Sequence, residues 1–260
     1  MAIQKKSLLI FFIMLLIPCI LIKTYRKLTL NNRSLAQSFN TPPVPENQWL
    51  TWLQEQEKEV WDELTSTTHL TSEHCNHLKN EWYQDYKMGE AELHKAETKP
   101  TPLSKKTHDT INAILNEFGL STKELPLAAW KDRSAAGTTD SKLLINEYAF
   151  NKLSDEAKKF VIGHEVQHFL HKDTSTRYVV ERFSKTGKDL PQDHPLNKLY
   201  RFQEVRADIQ AALKGPDYMQ GYISFVEQLS KKGENKGITH PKNSLRLSMG
   251  KKLLNNLSML

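Results

Sequence analysis

Cysteine is nearly absent. The 260-residue chain has two, Cys19 inside an apolar run and Cys75 in a polar segment, which excludes a disulfide framework as an organising device. Dense basic blocks are missing as well. The formal net charge is +6, but the lysines are scattered and no aromatics are interleaved with them. No nucleic-acid partner is expected on that ground; attraction to an anionic membrane surface is an easier use for the charge. There is no internal repeat and no low-complexity tract, so solenoid and fibrous architectures drop out.

Long hydrophobic runs are also scarce, with one exception. Ser7 to Ile22 reads SLLIFFIMLLIPCILI, without a charge, bracketed by Lys5-Lys6 and Lys23. The run is short for a span, but flanking lysines that snorkel extend it. Lys23-Thr24-Tyr25-Arg26-Lys27 offers no small-residue cleavage site, and Pro18 stands where a lipoprotein motif around Cys19 would have a small residue. An uncleaved, single-pass anchor over 1–27 is the expectation, with a cleaved signal peptide as its alternative. Basic residues on both sides leave its orientation unreadable.

The chemistry-bearing stretch is His164-Glu165-Val166-Gln167-His168. On a helix, residues four apart share a face, so His164 and His168 can present two imidazoles to one metal ion, with Glu165 beside the open side of the metal. The pentamer alone has a real false-positive rate. Its context raises it: Ser154 with Asp155-Glu156 is a helix start, and Ala157, Phe160, Val161, His164, His168 and His171 follow at helical spacing. A second helix is expected over 195–214, opened by Pro195 and stopped by Gly215-Pro216. It carries Glu204 and Asp208 on one face. Glu204 can complete a His-His-Glu zinc site, and Asp208 can orient one histidine by accepting its other N–H.

Around these lie simpler signals. Residues 28–46 form a polar, proline-containing linker, and two amphipathic helices are expected between 47 and 99, as a stalk, a pro-region or an outer layer of the catalytic domain. In the second, His74, Cys75 and His77 invite a metal reading, but on a helix Cys75 points away from the face of the two histidines, and a solvated surface is the better account. Thr107 to Phe118 is an amphipathic helix ended by Gly119. Leu125 to Trp130 and Lys142 to Asn146, with a turn signal at Gly137 to Asp140, read as two or three antiparallel strands. A strand before the motif helix can serve as an edge for an extended peptide, which makes Leu143, Leu144 and Ile145 candidate substrate-binding residues. The fold class is α+β, mainly helical with a small antiparallel sheet, divided as 1–27 anchor, 28–100 linker and helical region, and 101–260 catalytic domain.

Three features together resemble the M48 family of zinc metallopeptidases, the gluzincins related to the HtpX membrane protease, the CAAX prenyl proteases and the BepA/LoiP-type periplasmic enzymes. They are Val161-Ile162-Gly163-His164-Glu165-Val166-Gln167-His168, Glu204-Val205-Arg206-Ala207-Asp208, and Thr239-His240-Pro241 followed by Arg246. The resemblance covers about 101–260. It implies a zincin-like domain holding one zinc ion on His164, His168 and Glu204, with Asp208 behind a ligand. Glu165 is then the general base in hydrolysis of a polypeptide, taking a proton from the water that zinc activates, and His240 steadies the substrate carbonyl oxygen. The polar 169–203 segment departs from family members that carry membrane spans in this region. A soluble, extracytoplasmic domain on one N-terminal anchor is therefore the expectation. The rival is a catalytically silent zinc-containing binding or adaptor protein working through its helical region, in which Glu165 would have no task.

Overall fold

Local signals start and stop the helices where a site can be built between them. The computed structural model describes residues 46–89, 102–132, 134–184, 190, 193–233 and 240–257, all within one compact unit, Pro43–Leu260. Its elements are α1 (Glu46–Thr68), α2 (Ser72–Glu81), α3 (Lys105–Glu117), β1 (Leu127–Ala129), β2 (Ala136–Thr138), β3 (Leu143–Ile145), α4 (Glu147–Phe150), α5 (Asp155–His171), α6 (Asp173–Ser184), α7 (Pro195–Ala212), α8 (Pro216–Lys231) and α9 (Asn243–Leu257). The chain is thus mostly helical with one three-stranded sheet, in agreement with an α+β class.

The expected anchor over 1–27 and the linker up to residue 45 lie outside the described residues. Among the described residues no helix is long and apolar enough to cross a membrane.

The motif helix, α5, begins at Ser154, whose side chain accepts the Ala157 N–H, and has Asp155 and Glu156 in its first turn. Both devices satisfy or complement the free N–H groups of a helix start. It ends on Lys172 in the left-handed conformation (φ 54°, ψ 45°), whose N–H returns to His168 and Phe169 carbonyls. That single residue reverses the chain into α6. α7 is buried around nearly its whole circumference and lies against α5, α8 and α1, while α8 packs closely on α5 and α9. The Phe160 and Tyr222 rings stack across α5 and α8 at 4.9 Å.

One sequence expectation changes here. The sheet is mixed rather than antiparallel: its order is β1-β3-β2, with β1 parallel and β2 antiparallel to β3. Gly137 and Thr138, read as the start of a turn over Gly137 to Asp140, belong instead to strand β2, and the reversal follows at Thr139 to Ser141. Leu143, Leu144 and Ile145 are therefore the central strand, paired on both sides and almost fully buried, not a free edge. For 46–89 the sequence left a stalk, a pro-region or an outer layer open; α1 packs along α7 and α2 along α6, within the same compact unit. Lys198 Nζ meets both Glu63 carboxylate oxygens at 2.6 Å across the α1–α7 seam.

The α5–α8 seam depends on Gly221. An added Cβ there would lie 2.0 Å from the Glu156 carbonyl oxygen and 2.9 Å from the Phe160 Cβ. Backbone cannot yield as a flexible side chain can. Gly221→Ala should destabilise the protein by about 2–3 kcal/mol through overpacking, a fall of roughly 5–10 °C in Tm for a unit of this size. Gly215→Ala, where an added Cβ meets nothing within 4 Å, should leave the thermal midpoint nearly unchanged by circular dichroism.

Candidate metal centre

α5 and α7 bring their ligand-type side chains to one buried point. His164 Nε2 and His168 Nε2 are 3.0 Å apart. Glu204 Oε2 is 3.4 Å from the former, and Glu204 Oε1 is 3.6 Å from the latter. His164, His168 and Glu204 are the one group of potential metal ligands among the described residues, with one ligand atom of each within 4.8 Å of the others. All three residues are buried.

The far side of each imidazole decides what the near side can do. His164 Nδ1 is 2.8 Å from Asp208 Oδ1, and His168 Nδ1 is 2.8 Å from Asp173 Oδ2. A carboxylate only accepts, so both Nδ1 atoms carry a proton, and each Nε2 turns a lone pair inward once its ring is neutral, the form that binds a metal. In that neutral state two imidazole lone pairs and a carboxylate face one another, a group that could hold a metal ion. A tetrahedral ion with bonds of about 2.0–2.1 Å would space its ligands at about 3.3–3.4 Å, close to the distances here. The donor set and its spacing fit a single zinc ion.

Counter-charges hold the carboxylates. Arg246 grips Asp208 with Nε at 2.7 Å and Nη2 at 2.8 Å. Arg206 donates from Nη2 to Asp173, and Arg177 donates from Nη2 to Glu204 Oε1 at 2.8 Å. Burial alone would lower the pKa of His164, but its hydrogen bonds to Asp208 and Glu204 and their charges more than offset this, raising it to about 10. His168 moves up for the same reasons, through Glu204 and Asp173. Burial would lift Glu204, yet the charges of His168 and His240 and its bonds to both ligand histidines bring it well below the usual carboxylate range. The centre is built to keep positive charge.

Glu165 points elsewhere. It lines a cleft of about 470 Å³ beside the ligand cluster, together with His164, Glu204, His240 and Arg246. Burial raises its pKa above the ordinary carboxylate value, against the pull of His164 and His168. His240 is half-exposed, with Nε2 3.4 Å from Glu204 Oε2. The cleft wall is largely apolar, with Leu153, Phe160, Val161, Phe225 and Leu229 beside Gln228 and Lys232, and its sheet side is Ala135 and Ala136, the second of which opens β2. Leu143, Leu144 and Ile145 do not line it.

The residues singled out at the start of the molecule fall away from the centre. Cys75 is buried at 1% exposure rather than solvated, and burial pushes its thiol up to about 11. His74 meets the edge of the Phe183 ring, and His77 lies 3.7 Å from Glu81. Cys75 takes no part in the ligand group. Sequence reasoning missed Asp173, which it read as a sign of a polar segment, and the arginines Arg177 and Arg206. A position five beyond His168, just past a helix end, was the available signal for Asp173.

No family model, curated protein or solved structure matches the chain.

The protonated state has a consequence for stability. A folded-state pKa near 10 for His164 lies above the unfolded value of about 6.5. Its contribution is fully present below that unfolded value and is lost as pH rises through 10. The metal-free protein should therefore lose thermal stability between about pH 6.5 and 10. Zinc, which replaces the proton and binds better as pH rises, should remove that fall. A metal-free midpoint that stays flat or climbs over this window would contradict the assigned charge pairing.

Proposed function

We propose that this protein is a membrane-anchored, zinc-dependent endopeptidase of the M48-like kind. The observation that carries the reading is the convergence of His164, His168 and Glu204 on one point at the edge of a cleft that also holds Glu165. His164, His168 and Glu204 hold the ion, and Asp208 and Asp173 fix the two imidazoles. When bound, zinc supplies Lewis-acid chemistry, polarising the scissile carbonyl and acidifying water.

The chain's own residues do the rest. Glu165, with its raised pKa, takes a proton from the attacking water and delivers it to the leaving amine. His240 stands at the mouth of the cleft, within reach of a substrate oxygen near Glu204. The substrate lies extended beside the β2 edge at Ala135-Ala136, since β3 has no free backbone groups to offer. The apolar wall of Leu153, Phe160, Val161, Phe225 and Leu229 favours a bulky apolar side chain next to the cleaved bond. Anchoring through Ser7 to Ile22, with the catalytic unit outside the cytoplasm, is part of the same proposal and rests on that apolar run.

The adaptor reading finds less support. A silent metal module has no use for a desolvated carboxylate facing a cleft next to its ligands. None of the residues lining the cleft comes from the 46–89 helices, so this described region does not cover it as an inhibitory segment would.

Glu165→Gln should retain zinc and lose peptide hydrolysis by about 10²–10⁴-fold, the range for loss of a general base. The assay is turnover of a quenched-fluorescent peptide library rich in large apolar residues, run beside metal analysis. Parental turnover in a zinc-loaded Glu165→Gln protein would overturn the mechanism.

A further inference from the structure

The two ligand histidines are supported from different parts of the molecule. Behind His164 stand Asp208 on α7 and Arg246 on α9, and Tyr222 of α8 donates to the Arg246 carbonyl at 2.8 Å. Behind His168 the line runs the other way. Asp173 at the start of α6 accepts His168 Nδ1 through one oxygen and Arg206 Nη2 through the other. Arg206 Nη1 continues to Glu57 Oε1 on α1 at 2.8 Å. The line thus leaves the region covered by the peptidase-like motifs and ends on the N-terminal helical layer.

This second line is mostly buried. The side chains of Asp173 and Arg206 are 3% and 7% exposed, and only Glu57, at 42%, reaches solvent. Arg206 Nε has no hydrogen-bond partner among the described residues. The guanidinium is therefore aimed by its two carboxylates and by the Phe202 ring, 5.3 Å away. A cavity of about 190 Å³, lined by Glu57, Asp173, Arg206, Lys79, Gln203 and His171, lies against all three links. It gives Arg206 room to turn if Glu57 lets go. Asp173 would then lose the cation that holds it beneath His168, and the imidazole would lose its fixed aim.

We propose that α1 is a working part of the metal centre: Glu57 is a positioning residue that aims His168 through Arg206 and Asp173, so the docking of α1 sets how tightly the ion is held. The proposal rests on the metal-centre reading. It implies that movement of the N-terminal layer tunes zinc retention from behind the site, without entering the cleft.

The test uses the full chain with Glu57→Ala, the conservative Glu57→Gln, and Glu59→Ala on the exposed face of the same helix as control. Zinc affinity is read by competition with a chromophoric chelator. The imidazole ¹H–¹⁵N spectra of the metal-free proteins are read in parallel, because they resolve the aim of each ring without metal. Loss of a partner behind a ligand weakens metal binding by about 10–100-fold; Glu57, two links further out, should cost up to about tenfold in Glu57→Ala, about threefold in Glu57→Gln, and nothing in Glu59→Ala. His168 signals should shift and broaden in Glu57→Ala while those of His164 hold still. Parental affinity with unchanged His168 signals would overturn the proposal, as would weakened affinity with both histidines moving together, the mark of general loosening. If the parent takes up no zinc, the metal reading fails by itself. The spectra then decide alone: a selective His168 change upholds the coupling, and no change refutes it.

Discussion

His164, His168 and Glu204 converge on one buried point, and a set of buried ion pairs is arranged around them. Asp208 and Asp173 fix the tautomers of His164 and His168. Those carboxylates are themselves costly to bury unless paired. Arg246 and Arg206 pair them, and Arg177 pairs Glu204. Each ion solves the problem set by the one before it. The resulting network explains why α7, at the centre of a hydrophobic core, carries Glu204, Arg206 and Asp208 within little more than one turn, all buried.

Such a network stabilises little for its size, since desolvation opposes most of the gain, but it fixes geometry. The three candidate ligand residues sit on α5 and α7, and α5 meets α8 at a seam so close that Gly221 has no space for a side chain. Glu165, one position from His164 on the same helix, is left outside the paired set and lines the cleft.

Much of the site was legible because its spacing is a property of single helices. His164 and His168, and Glu204 and Asp208, are four apart, and that spacing places each pair on one face before any tertiary information exists. The Ser154 cap, Pro195 and the stop at Gly215-Pro216 located both helices to within a few residues. What escaped needed the third dimension. Asp173 reaches His168 only because Lys172 takes a left-handed turn, a conformation a lysine does not announce. β3 looked like an edge because strand order is invisible in a run of three apolar residues; the chain lays β2 on its far side and fills the centre last. An amphipathic α1 was readable from Trp49, Leu50, Leu53, Val60 and Leu64, of which Leu50 is exposed, but not that its buried face would lie on α7. Cys75 was misplaced for the same reason: a polar neighbourhood in sequence concealed a buried face against α6.

The claim that these residues form a catalytic zinc site is tested most directly by the zinc content of the purified full chain, measured by elemental analysis beside Glu204→Ala. The account predicts about one zinc per chain, as expected for a single site, with much weaker retention when the carboxylate ligand is removed. A folded parent without zinc, or a Glu204→Ala protein that keeps the parent's full complement, would contradict it.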